Sequence, residues 1–308
     1  MPSPRLSIII PTHNRPQLLR RAIRSALAQT ISNIEIVVVD DESKPPVALP
    51  DYPQVKVIRL SPNQGGAAAR NIGAKAANAR WITYLDDDDE LMPQMAQVSL
   101  EEIAKTTSTE PVGILSALAE LDSQGHIRKV HTPPTLPKGK HFCLEEINRN
   151  QSFASKQTLV IERQVLLSIG GFDESFTSRV HTELFLRLNP VCSLVGLPIV
   201  TYRLYAHEGP RVSSNLERRQ QNFHRLLKKH QAVFLKYPRR RYADFVFNHA
   251  YMLRRNGYHM AAFKALGQAL KIHPLQTVAR LGSPYKSRLL KQLSFIRPMP
   301  SSASTHRS

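Results

Sequence analysis

Cysteine and long hydrophobic runs are what this chain of 308 residues most clearly lacks. Its two cysteines, Cys143 and Cys192, are too few for a disulfide framework, and neither has a partner at a metal-like or redox-like spacing. We expect both to be small buried residues in a reducing compartment. No apolar stretch approaches the roughly 18 residues of a membrane-spanning helix, and residues 1–10 show no signal-peptide core. The sequence therefore predicts a cytoplasmic protein without a membrane span.

Acidic residues are almost absent from the C-terminal part of the chain. Residues 215–308 contain 19 Lys and Arg against 2 Asp and Glu, so they hold +17 of the formal net charge of +18. Such a segment favours anionic surfaces. It carries no recognised reader motif, so we expect no nucleic-acid partner. The change in charge predicts a first domain at 1–214, a basic helical region at 215–297 and a disordered tail at 298–308.

Hydrophobic patterning predicts alternating strands and helices at the start of the chain. Short apolar runs rich in β-branched residues indicate four strands, at 6–10, 34–39, 55–60 and 81–85. Apolar residues at helical spacing indicate two helices, at 16–29 and 66–79. Short links between such elements are typical of an α/β fold on a largely parallel sheet.

A run of acidic residues follows the last of these strands: Asp86, Asp87, Asp88, Asp89 and Glu90. Like charges this close repel one another unless solvent or a cation neutralises them. Divalent ions such as Mg²⁺ and Mn²⁺ bind carboxylate oxygens, often with substrate phosphates as further ligands. Because ligands bind at the carboxyl ends of strands in open α/β sheets, we expect residues 11–12 and 40–41 to share one crevice with this run. A solvated acidic turn is the alternative.

Four motifs follow one another in this part of the chain: LSIIIPTHNR at 6–15, EIVVVDDES at 35–43, NQGGAAARNIG at 63–73 and LDDDDELMP at 85–93. In this order and at these intervals they resemble the family 2 glycosyltransferases, which have the GT-A fold. The resemblance covers residues 5 to about 215. It implies a mostly parallel, Rossmann-like sheet, to which the basic C-terminal helical region would be an appendage.

The resemblance also implies a function. The implied enzyme moves a sugar from a nucleotide-diphosphate sugar to a glycan or lipid-linked acceptor in polysaccharide or cell-envelope biosynthesis. Its activity would depend on a metal ion, Mn²⁺ or Mg²⁺. A UDP-sugar is favoured as donor, and inversion of the anomeric centre is a family expectation. A catalytically inactive nucleotide-binding relative is the alternative.

The family pattern implies five residues around the nucleotide: Pro11, Thr12, Asn14, Asp41 and Arg70. Asp41 matches the base-binding aspartate and can accept a hydrogen bond from a ring N–H, although a turn or helix-capping aspartate is the alternative. Arg70 matches an arginine that offers forked donors to a phosphate. A surface ion pair is its alternative role.

Within the acidic run, the family pattern Asp-x-Asp-Asp implies a role for each residue. Asp86 falls on the ribose side of the donor, Asp87 fills the variable position beside it, Asp88 binds the metal and Asp89 supports it. His207 resembles a family histidine near the diphosphate or the metal, and a neutral imidazole is a competent ligand. A solvated loop histidine is the alternative for His207.

The general base is where the sequence departs from the family. After the turn at 170–176 the family has Glu-Asp-x-Asp at a helix start, and the second residue is the base; His181 occupies that position here. Histidine has an ordinary pKa of about 6.5, so it can take a proton from a sugar hydroxyl at neutral pH. The alternatives are that Glu183 or Asp173 is the base, or that the base is lost.

The basic region is helical by pattern, with helices predicted at 218–236, 242–255 and 258–272. Residues 285–296 mix basic and apolar side chains, as helices on anionic membrane surfaces do. A solvated helix docked on the core is the alternative. We therefore expect an anionic membrane surface as a further partner, which would place the protein on the inner face of the cytoplasmic membrane.

Overall fold

The computed structural model describes residues 3–106, 110–148, 150–205 and 216–282. The strands are β1 (Leu6–Thr12), β2 (Ile34–Asp40), β3 (Val55–Arg59), β4 (Trp81–Tyr84), β5 (Glu90–Leu91), β6 (Val112–Leu121), β7 (Ile127–His131), β8 (Val160–Glu162) and β9 (Ser193–Tyr205). The α-helices are α1 (Pro16–Leu27), α2 (Gly66–Ala76), α3 (Met95–Lys105), α4 (Arg163–Ser168), α5 (Val180–Leu188), α6 (Leu216–Lys229), α7 (Gln231–Lys236), α8 (Arg239–Arg255) and α9 (His259–Ile272). A short 3₁₀ helix spans Phe153–Thr158. The predicted α/β class is confirmed.

These strands form one sheet in the order β3-β2-β1-β4-β8-β6-β9-β5, with β7 paired to β6. Strands β1 to β4 are mutually parallel where they pair. Because β8 is antiparallel to both β4 and β6, strand β6 and its parallel neighbour β9 run in the same direction as β1. The sheet is therefore mostly parallel, as expected, with β5, β7 and β8 running against it.

The buried strands β1 and β2 have apolar side chains on both faces, which is why their sequences are continuous apolar runs. Ile9 and Val37 belong to one hydrophobic core, and Ile8 and Ile36 belong to the other. Helix α2 covers the first face, and α1 with α3 covers the second. Gly73 allows α2 to approach β1 closely, because a Cβ at this position would overlap the Ile9 side chain. Two-sided burial fixes the sheet and holds its carboxyl ends in place.

The chain divides into two compact units, Met1–Val233 and Phe234–Ser308. The first unit therefore extends beyond residue 214, where the charge changes, and it includes α6. The second contains α8 and α9, which pack around Ala250, Leu253, Ala262 and Ala265. The C-terminal region is helical as predicted, except that the single helix predicted at 218–236 is divided at His230 into α6 and α7. The segment 285–296 and the tail 298–308 lie outside the described residues. In the part of the chain that the structure describes, no helix is both long enough and apolar enough to cross a bilayer.

Candidate active site

The ends of the central strands meet at one edge of the sheet, as the sequence predicts. The Asp41 backbone N–H donates to the Thr12 carbonyl oxygen at 2.9 Å, which joins the ends of β1 and β2. The Thr12 hydroxyl donates to Asp87 Oδ2 at 2.8 Å, which joins the end of β1 to the acidic run after β4. Pro11, opposite Val39 in the parallel register, lies at the same edge. One crevice edge thus carries residues from all three strand ends.

The two aspartates at the end of β2 have different surroundings. Asp40 accepts hydrogen bonds from the backbone N–H groups of Ser43 and Val47 and forms an ion pair with Arg59. Burial acts to raise the pKa of Asp40, but these contacts outweigh it and lower that pKa. Asp41 is also buried, and its two oxygens accept the backbone N–H groups of residues 64 and 65 at 2.7 and 2.8 Å. Each carboxylate oxygen has a second lone pair, so Asp41 can still accept a bond from a ligand. Its role with the base stays a prediction.

Asn14 connects two loops at this edge. Its backbone N–H donates to Ser43 Oγ at 2.9 Å, and its side-chain oxygen accepts from the Lys44 backbone N–H at 2.7 Å. It adopts a left-handed conformation with φ 56°, which asparagine tolerates better than most residues. The structure therefore shows Asn14 holding the β1 and β2 loops together, and direct contact with a nucleotide stays a prediction.

Three of the acidic residues form a cluster that suits a divalent cation. One carboxylate oxygen from each of Asp86, Asp88 and Asp89 lies within 4.8 Å of the others. Burial and the charges of Asp86 and Asp88 raise the pKa of Asp89 well above its usual range. Burial also acts to raise the pKa of Asp86, but Arg70 and His181 overcome it and lower that pKa. An oxygen-rich cluster in which negative charge is costly fits Mg²⁺ or Mn²⁺ by ligand type.

Asp87 is not one of the three clustered carboxylates. It accepts from the Thr12 hydroxyl and from Arg15 Nη1, the latter at 3.1 Å. Arg15 Nη1 also lies 3.1 Å from Asp88 Oδ2. Burial is the largest influence on the pKa of Asp87 and raises it, despite the bonds from Thr12 and Arg15. Asp87 thus fits a residue that positions the acidic loop, and the predicted contact between Asp87 and the donor remains untested.

Arg70 reaches the acidic cluster from α2. Its Nη2 lies 2.5 Å from Asp86 Oδ1, and its Nη1 donates to the Gly66 carbonyl oxygen at 2.9 Å. The side chain is only 13 % exposed, so this is a partly buried ion pair, and the surface-pair alternative does not describe it. A guanidinium fixed beside the cluster is suitably placed to contact a phosphate there.

The structure separates the two candidate bases on α5. His181 lies in the first turn, packs edge-on against Phe172 with ring centres 5.6 Å apart, and contributes to the low pKa of Asp86. Glu183 is 0 % exposed and bonds Arg187 Nε at 2.8 Å and Lys229 Nζ at 2.6 Å. Burial alone would raise its pKa, but these bonds and one from His230 drive it far below the usual range. A fully buried carboxylate that is bonded to these cations has little affinity for a further proton, which favours His181 over Glu183 as the base; the catalytic role of Glu183 stays an untested prediction.

Asp173, the other alternative, is also engaged. Lys229 Nζ lies 2.5 Å from its Oδ2, and Ser175 donates to its Oδ1 from both the backbone and the hydroxyl. These bonds lower its pKa although burial opposes them. Asp173 therefore stabilises the turn before α5, and His181 remains the candidate base next to the acidic cluster. His207, predicted as a metal ligand, lies outside the described residues.

Sequence reasoning assigned no role to three residues that shape the cluster: Arg15, Arg21 and Tyr202. The Tyr202 hydroxyl donates to Asp89 Oδ2 at 2.9 Å and accepts from the Asp86 backbone N–H at 3.3 Å. Arg21 donates to the Asp88 carbonyl oxygen and stacks on Tyr205 at 4.0 Å. Arg15 ends the first motif, so its position was a usable signal. Tyr202 comes from a strand about 115 residues downstream, and no local pattern indicates its contact with the acidic loop.

Comparisons with known proteins agree with this geometry. Residues 7–148 match the family model described as Glycosyl transferase family 2. An uncharacterized glycosyltransferase of Haemophilus influenzae is 31% identical over 186 residues, which are 59% of this chain and 61% of that protein. The succinoglycan biosynthesis protein ExoO of Rhizobium meliloti is 40% identical over 103 residues, or 32% of this chain and 29% of that protein. The matches to these relatives thus span less than two thirds of their length.

A solved structure shares the fold. The structure of S. aureus TarS 1–349 in complex with UDP-GlcNAc superposes with a TM-score of 0.64 and covers 89% of this chain and 83% of that chain. Sequence identity is 18%, so the likeness concerns the fold, which is the GT-A fold predicted from the motifs.

Proposed function

We propose, from the match of residues 7–148 to glycosyltransferase family 2, that this chain transfers a sugar from a UDP-sugar to a glycan or lipid-linked acceptor in polysaccharide biosynthesis. The observation that carries the proposal is the shared sheet edge, where Asp41 lies beside Thr12 and Thr12 bonds the acidic run. A nucleoside diphosphate has a base and a diphosphate, and each would bind at a different part of this edge. The base would contact Asp41, and the diphosphate would lie near Arg70 and the acidic cluster.

The acidic cluster is proposed to hold Mn²⁺ or Mg²⁺ through Asp88 with Asp86 and Asp89. Such an ion, when bound, neutralises the charge that develops on the departing nucleoside diphosphate. Arg70 would add fixed positive charge on the same side, held in place by Asp86 and by α2. Tyr202 and Arg15 hold Asp89 and Asp88, so the cluster is preorganised by groups that a ligand does not need to move.

On the acceptor side, His181 is proposed to take the proton from the attacking hydroxyl. Its ring is neutral when it accepts, so it adds no negative charge beside the acidic cluster. Attack on the face of the sugar opposite the leaving diphosphate would invert the anomeric centre. Phe172 supports the ring from one side, and the first turn of α5 fixes its backbone.

The first experiment is calorimetric titration of the wild-type protein with UDP, GDP, dTDP and CDP, each with and without Mn²⁺. We expect UDP to bind at least tenfold more tightly with Mn²⁺, because the cation relieves repulsion between the cluster and the diphosphate. GDP, dTDP and CDP are the matched controls for the base. Binding of none of the four would overturn the donor site and favour the inactive relative.

We further propose that the C-terminal unit attaches the enzyme to an anionic membrane. Exposed apolar side chains are unusually large and frequent there: Met260 is 72 %, Phe263 is 73 % and Leu275 is 79 % exposed. The same helices are rich in Arg and Lys, with Asp244 the one acidic residue in 234–282. Basic charge around protruding apolar groups is the pattern of proteins that lie on membrane surfaces.

Flotation with liposomes tests the attachment. The wild-type protein should float with vesicles that contain phosphatidylglycerol, more weakly at high salt, and not with neutral vesicles. The double variant Met260→Ser with Phe263→Ser should lose most of the floating fraction. Ile127→Ser with Val130→Ser, which removes two exposed apolar residues from β7, is the control that should still float. Equal flotation of both variants, or none of the wild type at low salt, contradicts the proposal.

A further inference from the structure

A basic cavity of about 450 Å³ lies between α6 and the loop that precedes α5. Six residues line it: Ser175, Thr177, Arg218, Gln221, Asn222 and Arg225. Two of these six are arginines, the others carry hydroxyl or amide groups, and none of the six is acidic. Five of these residues are exposed and Asn222 is buried, so the cavity is open to solvent. Nothing in the donor chemistry uses this cavity.

The cavity is built by one face of α6. Residues 218, 221, 222 and 225 are spaced by three and four, so they form a single stripe about two helical turns long. Asn222 is buried, and its amide donates to the hydroxyls of Thr177 and Ser178 at 3.0 Å each. The loop is thereby fixed to the helix.

Arg225 is held in place by the loop that precedes α5. Arg225 Nη1 donates to the Ser175 carbonyl oxygen at 2.5 Å, and its guanidinium lies 5.8 Å from the centre of the Phe176 ring. These contacts orient the guanidinium without neutralising its charge. It therefore remains able to bind an oxyanion in a forked manner.

The surroundings add positive charge. Arg179, at the residue before α5, stacks on Phe223 of α6 at 4.7 Å. Burial and then the charge of Arg219 lower the pKa of Arg179 to about 10, and burial lowers that of Arg219 as well. A buried guanidinium whose pKa is lowered further by a neighbouring positive charge marks a region that gains free energy when an anion enters.

The position of the cavity relates it to the acceptor. Its loop residues precede α5, and the candidate base His181 lies two residues beyond Arg179 at the start of that helix. His181 is also close enough to the acidic cluster to lower the pKa of Asp86. The cavity therefore adjoins, along the chain, the helix start that carries the candidate base.

We propose that this cavity binds a phosphate group of the acceptor, between Arg218 and Arg225, and so selects phosphate-bearing acceptors. This inference rests on the proposed glycosyl transfer. Two guanidiniums with neighbouring hydroxyls offer more donors than one carboxylate accepts, which favours a phosphate or diphosphate. The phosphate has two chemical sources, a lipid-linked diphosphate or a phosphorylated glycan.

The test is calorimetric titration with inorganic pyrophosphate in a buffer with chelator, so that no divalent ion draws the probe to the acidic cluster. The wild type should bind, and Arg218→Gln with Arg225→Gln should bind at least tenfold more weakly. Arg20→Gln with Arg24→Gln removes two exposed arginines from α1 and should bind as the wild type does. No binding by the wild type, or equal binding by all three proteins, overturns the proposal.

Two additional titrations separate the remaining possibilities. UDP with Mn²⁺ should bind the wild type and the Arg218/Arg225 variant equally, which would show that the variant is folded. If the proposed transferase function is wrong, UDP will not bind the wild type, and this outcome is separate from the pyrophosphate result. Farnesyl diphosphate then distinguishes the sources. Tighter binding than pyrophosphate, lost in the variant, supports a lipid-linked acceptor, whereas equal binding supports a phosphorylated glycan.

Discussion

Replacing Asp88 with Asn is expected to abolish sugar transfer while leaving the fold intact. Asp88 contributes one of the three clustered carboxylates, and an amide in its place removes charge that a divalent ion requires. Loss of electrostatic stabilisation of this kind costs roughly a thousandfold in rate. Folding should not suffer, because the variant relieves repulsion with Asp86 and Asp89. Transfer is measured as release of UDP in the presence of acceptor.

The expected loss has two readouts besides rate. UDP should bind Asp88→Asn with the same affinity with or without Mn²⁺, whereas the wild type should respond to the ion. The thermal unfolding midpoint should be unchanged within a few degrees. Asp51→Asn, an exposed aspartate outside the cluster, is the matched control and should behave as the wild type. Full activity of Asp88→Asn would remove the metal from the mechanism.

Replacing His181 with Ala is expected to lower transfer by roughly a hundredfold to ten-thousandfold, the range for loss of a general base. UDP affinity should change little, because the ring does not belong to the carboxylate cluster. The pair of measurements separates a base from a structural histidine, since a structural defect would weaken both. His181→Gln, which keeps a polar side chain at the helix start, should be as slow as His181→Ala.

Glu183 and Asp173 supply the comparisons for this prediction. Glu183→Gln should lower the free energy of unfolding by about 3 kcal/mol, measured by urea denaturation, because Arg187 and Lys229 lose a buried partner. Asp173→Asn should retain transfer, since its carboxylate serves the turn with Ser175 and Lys229. Unchanged transfer in His181→Ala would exclude this histidine, and a slow, well-folded Asp173→Asn would move the base to the turn.

Local sequence patterns were enough to predict much of the fold. The runs at 6–10 and 34–39 are apolar on both faces, and only a strand between two layers of helices buries both faces of such a run. The acidic run could be placed at a strand end for the same reason, because a buried strand cannot continue through five charges. The apolar strand runs and the acidic run were together enough to predict the sheet edge at which Thr12, Asp41 and Asp87 meet.

Partners from distant parts of the chain were not predictable from local patterns. Sequence could not separate His181 from Glu183, since both lie in the first turn of α5. Arg187 is a local partner of Glu183, but Lys229 and His230 come from α6 and the residue after it and complete the set of groups that bond this carboxylate. The boundary near residue 214 also reflected charge alone, whereas packing places α6 with the first unit.

The sequence by itself determined the α/β class, the positions at which polar residues end the strands, and the match of residues 7–148 to glycosyltransferase family 2, because these follow from periodicity and from motifs within a few residues. Tertiary structure decided which carboxylates cluster, that Glu183 is buried and paired with Arg187 and Lys229, and where the basic cavity lies. Asp87 and Asp88 are neighbours in sequence, yet the first bonds Thr12 while the second clusters with Asp86 and Asp89. Charge and burial act through space, and a one-dimensional pattern does not contain the distances on which they depend.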